Sequence, residues 1–141
     1  DHRDLHSFPT RRSSDLDDEL KKVIADFIDQ GLVENIVVMF RRDPRYYAWT
    51  GHLLRDQRLA VRLGMSVLFE ELKELQPDKL QLAVPSLAKL LDEQEPLWRG
   101  EALSLLAIIG GESVRQLVAR HLDDPDPQVR EMARLVVDEL G

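Results

Sequence analysis

The chain has 141 residues, with 26 acidic side chains against 19 Lys and Arg, a net charge of −7 and no cysteine. That length suits a single domain, the missing cysteines exclude a disulfide framework and thiolate chemistry, and the negative balance argues against a general polyanion binder. No apolar run approaches the roughly 18 residues that span a membrane and no signal peptide is visible, so a cytoplasmic protein is the default expectation.

In chain order, residues Asp1 to Leu16, DHRDLHSFPTRRSSDL, stand apart from the rest. They resemble the conceptual translation of a common sequencing-library adapter, and are expected to be non-native and disordered. The segment carries three acids and three arginines, so setting it aside leaves the net charge unchanged. The folded domain is expected over residues 17–141.

Asp17, Asp18 and Glu19 load a first helical turn with negative charge, which suits the helix dipole. Leu20, Val23, Ile24, Phe27 and Ile28 follow as an apolar stripe, and Gly31 closes the helix. A short second helix is predicted from Leu32 to Arg41, with Ile36, Val37 and Phe40 inside. Asp43-Pro44 reads as an N-cap followed by proline at the first helical position. It opens a third helix, to about Leu54, that carries Tyr46, Trp49 and Leu53. The fourth runs from about Gln57 to Leu75, before Pro77. The fifth spans about Asp78 to Asp92, with Pro85 predicting a kink or break between Leu82 and Ser86. The sixth runs from Pro96 to Ile109 and stops at Gly110-Gly111. The seventh covers Glu112 to Leu122, and the eighth starts at Pro127 with Asp126 as N-cap. No stretch alternates like a strand. The sixth helix is apolar nearly all round, so it must be covered on several sides. The eighth shows Gln128, Arg130, Glu131, Arg134, Asp138 and Glu139 away from its stripe, as a polar terminal cap would, and the C-terminus is expected to be natural on that ground.

Three stretches share one register. Leu54, Leu91 and Leu122 open the copies; an acid follows two residues on (Asp56, Glu93, Asp124). Seven on stands a bulky apolar residue (Val61, Trp98, Val129), and eight on an arginine (Arg62, Arg99, Arg130). Positions +11, +14, +15 and +18 are apolar in every copy: Met65, Leu68, Phe69, Leu72; Ala102, Leu105, Leu106, Ile109; Ala133, Val136, Val137, Leu140. The copies lie 37 and 31 residues apart, a period at which one helix pair repeats in an α-solenoid.

The acidic turn followed by Val-Arg at the head of the second helix resembles HEAT repeats, close to the short bacterial kind, over Leu54 to Leu140. Copy two departs from the pattern, with Trp98 in place of valine and a less regular turn, EQEP. The resemblance implies an all-α fold of about eight helices in stacked antiparallel pairs. It also implies that Asp56, Arg62, Glu93, Arg99, Asp124 and Arg130 are structural, tying the turn of one repeat to its neighbour through charge-assisted hydrogen bonds.

One segment runs against the charge of the chain. From Arg41 to Arg62 six arginines (Arg41, Arg42, Arg45, Arg55, Arg58 and Arg62) face Asp43 and Asp56, a local charge of +4. Tyr46, Tyr47 and Trp49 are interleaved. Arginines with aromatics are what a protein hot spot or a nucleic-acid site requires; the alternative is that the aromatics fill the core and the arginines are merely solvated. The segment is expected to be the partner-binding patch, with one of the three aromatics exposed. Its flanks are acidic, so an acidic protein surface is the expected partner, ahead of nucleic acid. No catalytic constellation, cofactor motif or metal-ligand spacing is present in the sequence; His52 and His121 are the only histidines beyond residue 16. The expected function is a non-catalytic protein-binding scaffold. Two alternatives come from the family resemblance: a nucleic-acid binder, since some HEAT-like DNA glycosylases use a basic groove, and a lyase or enzyme subunit, since HEAT-like repeats occur in phycobilisome lyases.

Overall fold

The computed structural model describes residues 13–141. Among them are eight α-helices, two 3-10 segments and no strand. In order these are α1 (Ser13–Asp29), α2 (Val33–Arg42), a 3-10 segment (Pro44–Trp49) running into α3 (Thr50–Leu54), and α4 (Leu59–Leu75). A second 3-10 segment (Pro77–Ala83) runs into α5 (Val84–Leu90), followed by α6 (Pro96–Ile109), α7 (Glu112–Ala119) and α8 (Pro127–Leu140). Among the described residues no helix is long and apolar enough to cross a membrane.

Local chemistry accounts for most of these bounds. The Asp43 carboxylate accepts the Arg45 N–H at 3.1 Å, and Asp126 accepts Gln128 N–H at 2.9 Å and Val129 N–H at 3.0 Å; both are side-chain N-caps ahead of a proline. Pro85 sits in the first turn of α5, where its missing N–H costs no helical bond. The expected break therefore falls between Ala83 and Val84. Gly110 and Gly111 take φ of +70° and +96°, a region that glycine enters without strain, and α6 ends there. Several bounds differ from expectation: α4 starts at Leu59 and not Gln57, α5 ends at Leu90 and not Asp92, and the first parts of the expected third and fifth helices are 3-10. The adapter-like start, as far as residue 12, lies outside the described residues, but Ser13 to Leu16 add an exposed turn to α1. Three residues at the far end of the seventh helix, Arg120 to Leu122, form a turn instead.

Helices α1, α4, α6 and α8 pack side by side in that order. A second row lies against them: α2 on the first 3-10 segment, that segment on the second, α3 on α5, and α7 against α6 and α8. The core is the seam between the rows. All of the +7, +11 and +14 positions of the register are buried. The last copy is less covered at its edges: Leu122 is exposed and Val137 and Leu140 are only partly buried. Val23, placed in the core stripe from its spacing, points outward on α1. Two glycines let the elements approach closely. A methyl group at Gly51 would run into the Ser86 carbonyl, and one at Gly64 into the Ile28 side chain.

The repeated arginine has the same task in each copy. Arg62 Nη1 donates to the carbonyls of Asp56 and Gln57 at 2.8 and 2.9 Å. Arg99 does so to Glu93 and Gln94 at 2.8 and 2.7 Å, and Arg130 to Asp124 and Pro125 at 2.8 and 3.2 Å. A turn entering a helix leaves carbonyls without helical partners, and a side chain on the first helical turn folds back to take them. The rest of the guanidinium reaches the next copy. Arg62 Nε donates to Glu101 at 2.7 Å; Arg99 grips Asp124 with Nε at 2.9 Å and Nη2 at 2.8 Å. The repeated acids complete the ties: Glu93 takes Arg55 at 3.2 Å, and Asp56 takes Arg58, which also reaches Asp26 of α1 at 2.9 Å.

Leu106 is fully buried on α6 and Leu135 half exposed on α8. Leu106→Ala is expected to cost roughly 2–5 kcal/mol, and Leu135→Ala no more than about 0.5 kcal/mol. Urea melts of the two variants measure the difference; equal losses would mean that the faces are misassigned.

Candidate functional site

Four of the six arginines of the basic segment are paired with carboxylates of the chain. Arg41 and Arg42 are exposed in the last turn of α2. Arg45 pairs with Asp43 at 2.9 Å and lies 5.2 Å over the Tyr46 ring. The other three arginines hold elements together. Arg55 pairs with Glu93 and lies over Trp98. Arg58 contacts Asp56, Asp26 and Asp29, and its hydrogen bonds to Asp56 and Asp26 hold the guanidinium above its usual range. Arg62 is committed to Glu101 and its own turn. Reversing the charge of Arg55 and Arg58 would therefore test the fold along with any binding surface.

The aromatics correct the expectation further. Tyr47 is 0% exposed and packs edge-on against Phe40 and Phe69. Its hydroxyl accepts from Gln76 Nε2, and burial pushes its pKa up. Tyr46 and Trp49 are partly buried with ring centroids 5.0 Å apart, and Lys21 covers Trp49. None of the three stands exposed as a partner anchor, because this cluster closes the α2–α4 end of the core. His52 is exposed, with its pKa lowered first by partial burial and then by Lys21. His121 Nδ1 lies 3.0 Å from Asp124. Among the described residues no three His, Asp or Glu side chains are placed to hold a metal ion.

The exposed apolar surface lies elsewhere. On α4, Leu59, Leu63 and Val67 are 57%, 59% and 50% exposed, at i, i+4 and i+8 on one helix face. These are register positions +5, +9 and +13. Their counterparts on α6 are Pro96, Gly100 and Ser104, and on α8 Pro127, Glu131 and Leu135. The small residues of α6 leave an open groove of about 520 Å³ between α6 and α8. Pro96, Leu97, Gly100, Val129 and Met132 give it an apolar lining; Ser104 and Gln128 add neutral polar groups, and its charged lining residues are Glu95, Glu101 and Asp126. Glu101 joins the two surfaces, lining the groove while accepting Arg62 from α4.

Gly100 is unlike the other glycines of the chain. Gly51 and Gly64 sit at close approaches, and Gly31, Gly110, Gly111 and Gly141 have positive φ. Gly100 lies inside α6 with ordinary helical geometry, and a methyl group there would meet nothing within 4 Å. A glycine inside a helix costs roughly 0.5–1 kcal/mol relative to alanine, and no contact among the described residues requires it here. The pattern was legible in the sequence as a second apolar stripe on the fourth helix, opposite the core stripe.

Comparison with family models, with curated proteins and with solved structures finds no match to this chain.

Proposed function

We propose that the chain is a HEAT-type helical-repeat module, a short α-solenoid, that binds another protein by surface complementarity and carries out no chemistry of its own. The observation behind this reading is the exposed Leu59, Leu63 and Val67 stripe beside the α6–α8 groove. In a chain rich in charge, three large apolar side chains on one helix face mark an interaction surface. The arginine ties that recur in each copy support the stacked-repeat reading. The contact surface moves from the basic segment to the outer face of the α1, α4, α6 and α8 row. Nucleic-acid binding loses its support, since Arg55, Arg58 and Arg62 already face carboxylates of the chain.

Leu63→Ser with Val67→Ser tests the reading. Both residues are exposed, so the melting temperature is expected to hold, while capture of a specific protein from the source-cell lysate is lost. Arg41→Glu with Arg42→Glu is the control and keeps capture. Unchanged capture by the serine variant, or tight and salt-sensitive DNA binding by the wild type, would reject it.

A further inference from the structure

We propose that the groove between α6 and α8 receives one helix of the partner protein, apolar along the face that enters and bearing Lys or Arg beside it. This rests on the protein-binding reading above and names the segment recognised. The first ground is Gly100. Alone among the glycines of this chain it has neither positive φ nor a neighbour among the described residues that excludes a side chain, and open space stands over it. The residue keeps the groove floor low for something outside the chain. With Pro96 and Ser104 one turn to either side, the floor lets a helix approach along its length.

The second ground is the shape and hydrogen bonding of the walls. Both walls are helices, whose backbone groups are bonded internally, so neither offers a sheet edge for an extended strand. What they offer is the exposed Leu97 of α6 and the partly buried Met132 of α8, against which apolar side chains of a third helix pack. Helix α6 has 14 residues, about 21 Å of length, and accommodates a partner helix of similar size.

The third ground is charge. The ionised groups lining the groove are carboxylates, and no Lys or Arg is among the lining residues. Asp126 caps α8 and Glu101 takes Arg62, while Glu95 is exposed at the start of α6. An acidic helix would be repelled and a basic one attracted, and the −7 charge of the chain works in the same direction.

The test uses a displayed library of random 16-residue peptides selected on the full chain, with affinities of the selected peptides measured by fluorescence polarisation. The expected consensus has apolar residues at i, i+4 and i+7, carries Lys or Arg, and lacks internal proline. Gly100→Leu is expected to weaken these peptides at least tenfold with no fall in melting temperature, since the added side chain enters open space. Glu95→Lys is expected to weaken them severalfold. Proline-rich or acidic consensus sequences, no binders at all, or equal binding by Gly100→Leu would overturn the proposal. So would a concentration-dependent dimer of the wild type that Gly100→Leu abolishes, since a second copy would then be the occupant. If Gly100→Leu leaves capture of the native partner intact while Leu63→Ser with Val67→Ser removes it, the groove proposal fails and the protein-binding reading stands. If neither variant changes capture, both fail.

Discussion

Asp124→Ala is expected to destabilise the protein by about 3–5 kcal/mol, the usual cost of leaving one member of a buried ion pair unpaired. Both partners are buried, and Asp124 accepts two bonds from Arg99, one from the Asp126 N–H at 2.9 Å, and faces His121. Removing the carboxylate strands the Arg99 guanidinium between two copies of the repeat and frees the turn that leads into α8. Burial alone would raise the Asp124 pKa; the bonds from Arg99, His121 and the Asp126 N–H outweigh it and hold the carboxyl far below the usual range. A folded pKa below the unfolded one contributes stability that is present above the ordinary carboxylate value of about 3.9. It is lost as pH falls from there toward the folded value. Chemical denaturation from pH 7 down to pH 2 should show the wild type losing more stability on the acid side than Asp124→Asn. Parallel curves would mean that Asp124 does not carry this dependence.

Trp98→Ala should cost about 3–5 kcal/mol, as large aromatic truncations in a core do. Trp98 stands where the other copies have Val61 and Val129. It is fully buried between α4 and α6, with the guanidiniums of Arg55 and Arg62 at 5.2 and 5.8 Å from its ring. Those arginines pair onward with Glu93 and Glu101, so the ring packs against two of the ties between copies. Its indole N–H is buried without an acceptor among the described residues, an unmet donor that disfavours folding. Trp98→Phe keeps an aromatic face under both arginines and removes that donor, and is expected to cost far less than Trp98→Ala. Thermal melts of the pair decide the point: similar losses would show that indole size, and not the ring face, is what the site needs.

Helix positions, breaks and the repeat register were legible in the sequence because the forces that set them act over a few residues. Asp126-Pro127, Pro85 and Gly110-Gly111 act on their own turn, and a 3.6-residue period shows which side chains share a face. That is why Val61, Met65 and Leu68, and their counterparts, were placed inside before any packing was known. The structural role expected for the arginine eight residues into each copy came from the HEAT resemblance; the carbonyls it serves, five and six residues earlier, are seen only in the structure.

Tertiary structure decided what the remaining side chains face. Arg58 meets Asp26 across 32 residues of chain, and Arg62 meets Glu101 across 39. Charge counted along Arg41 to Arg62 adds to an excess, but in space half of those arginines pair with acids distant in the sequence. Tyr47 and Tyr46 are neighbours in sequence, yet one is sealed against Phe69 and the other only partly covered. The same holds for the apolar residues. Val23 and Leu59 are as apolar as Ile24 and Val61, and their exposure follows from which helix face the second row happens to cover. Periodicity reports that a helix has a face; only the packing of the rows determines which apolar face is left open.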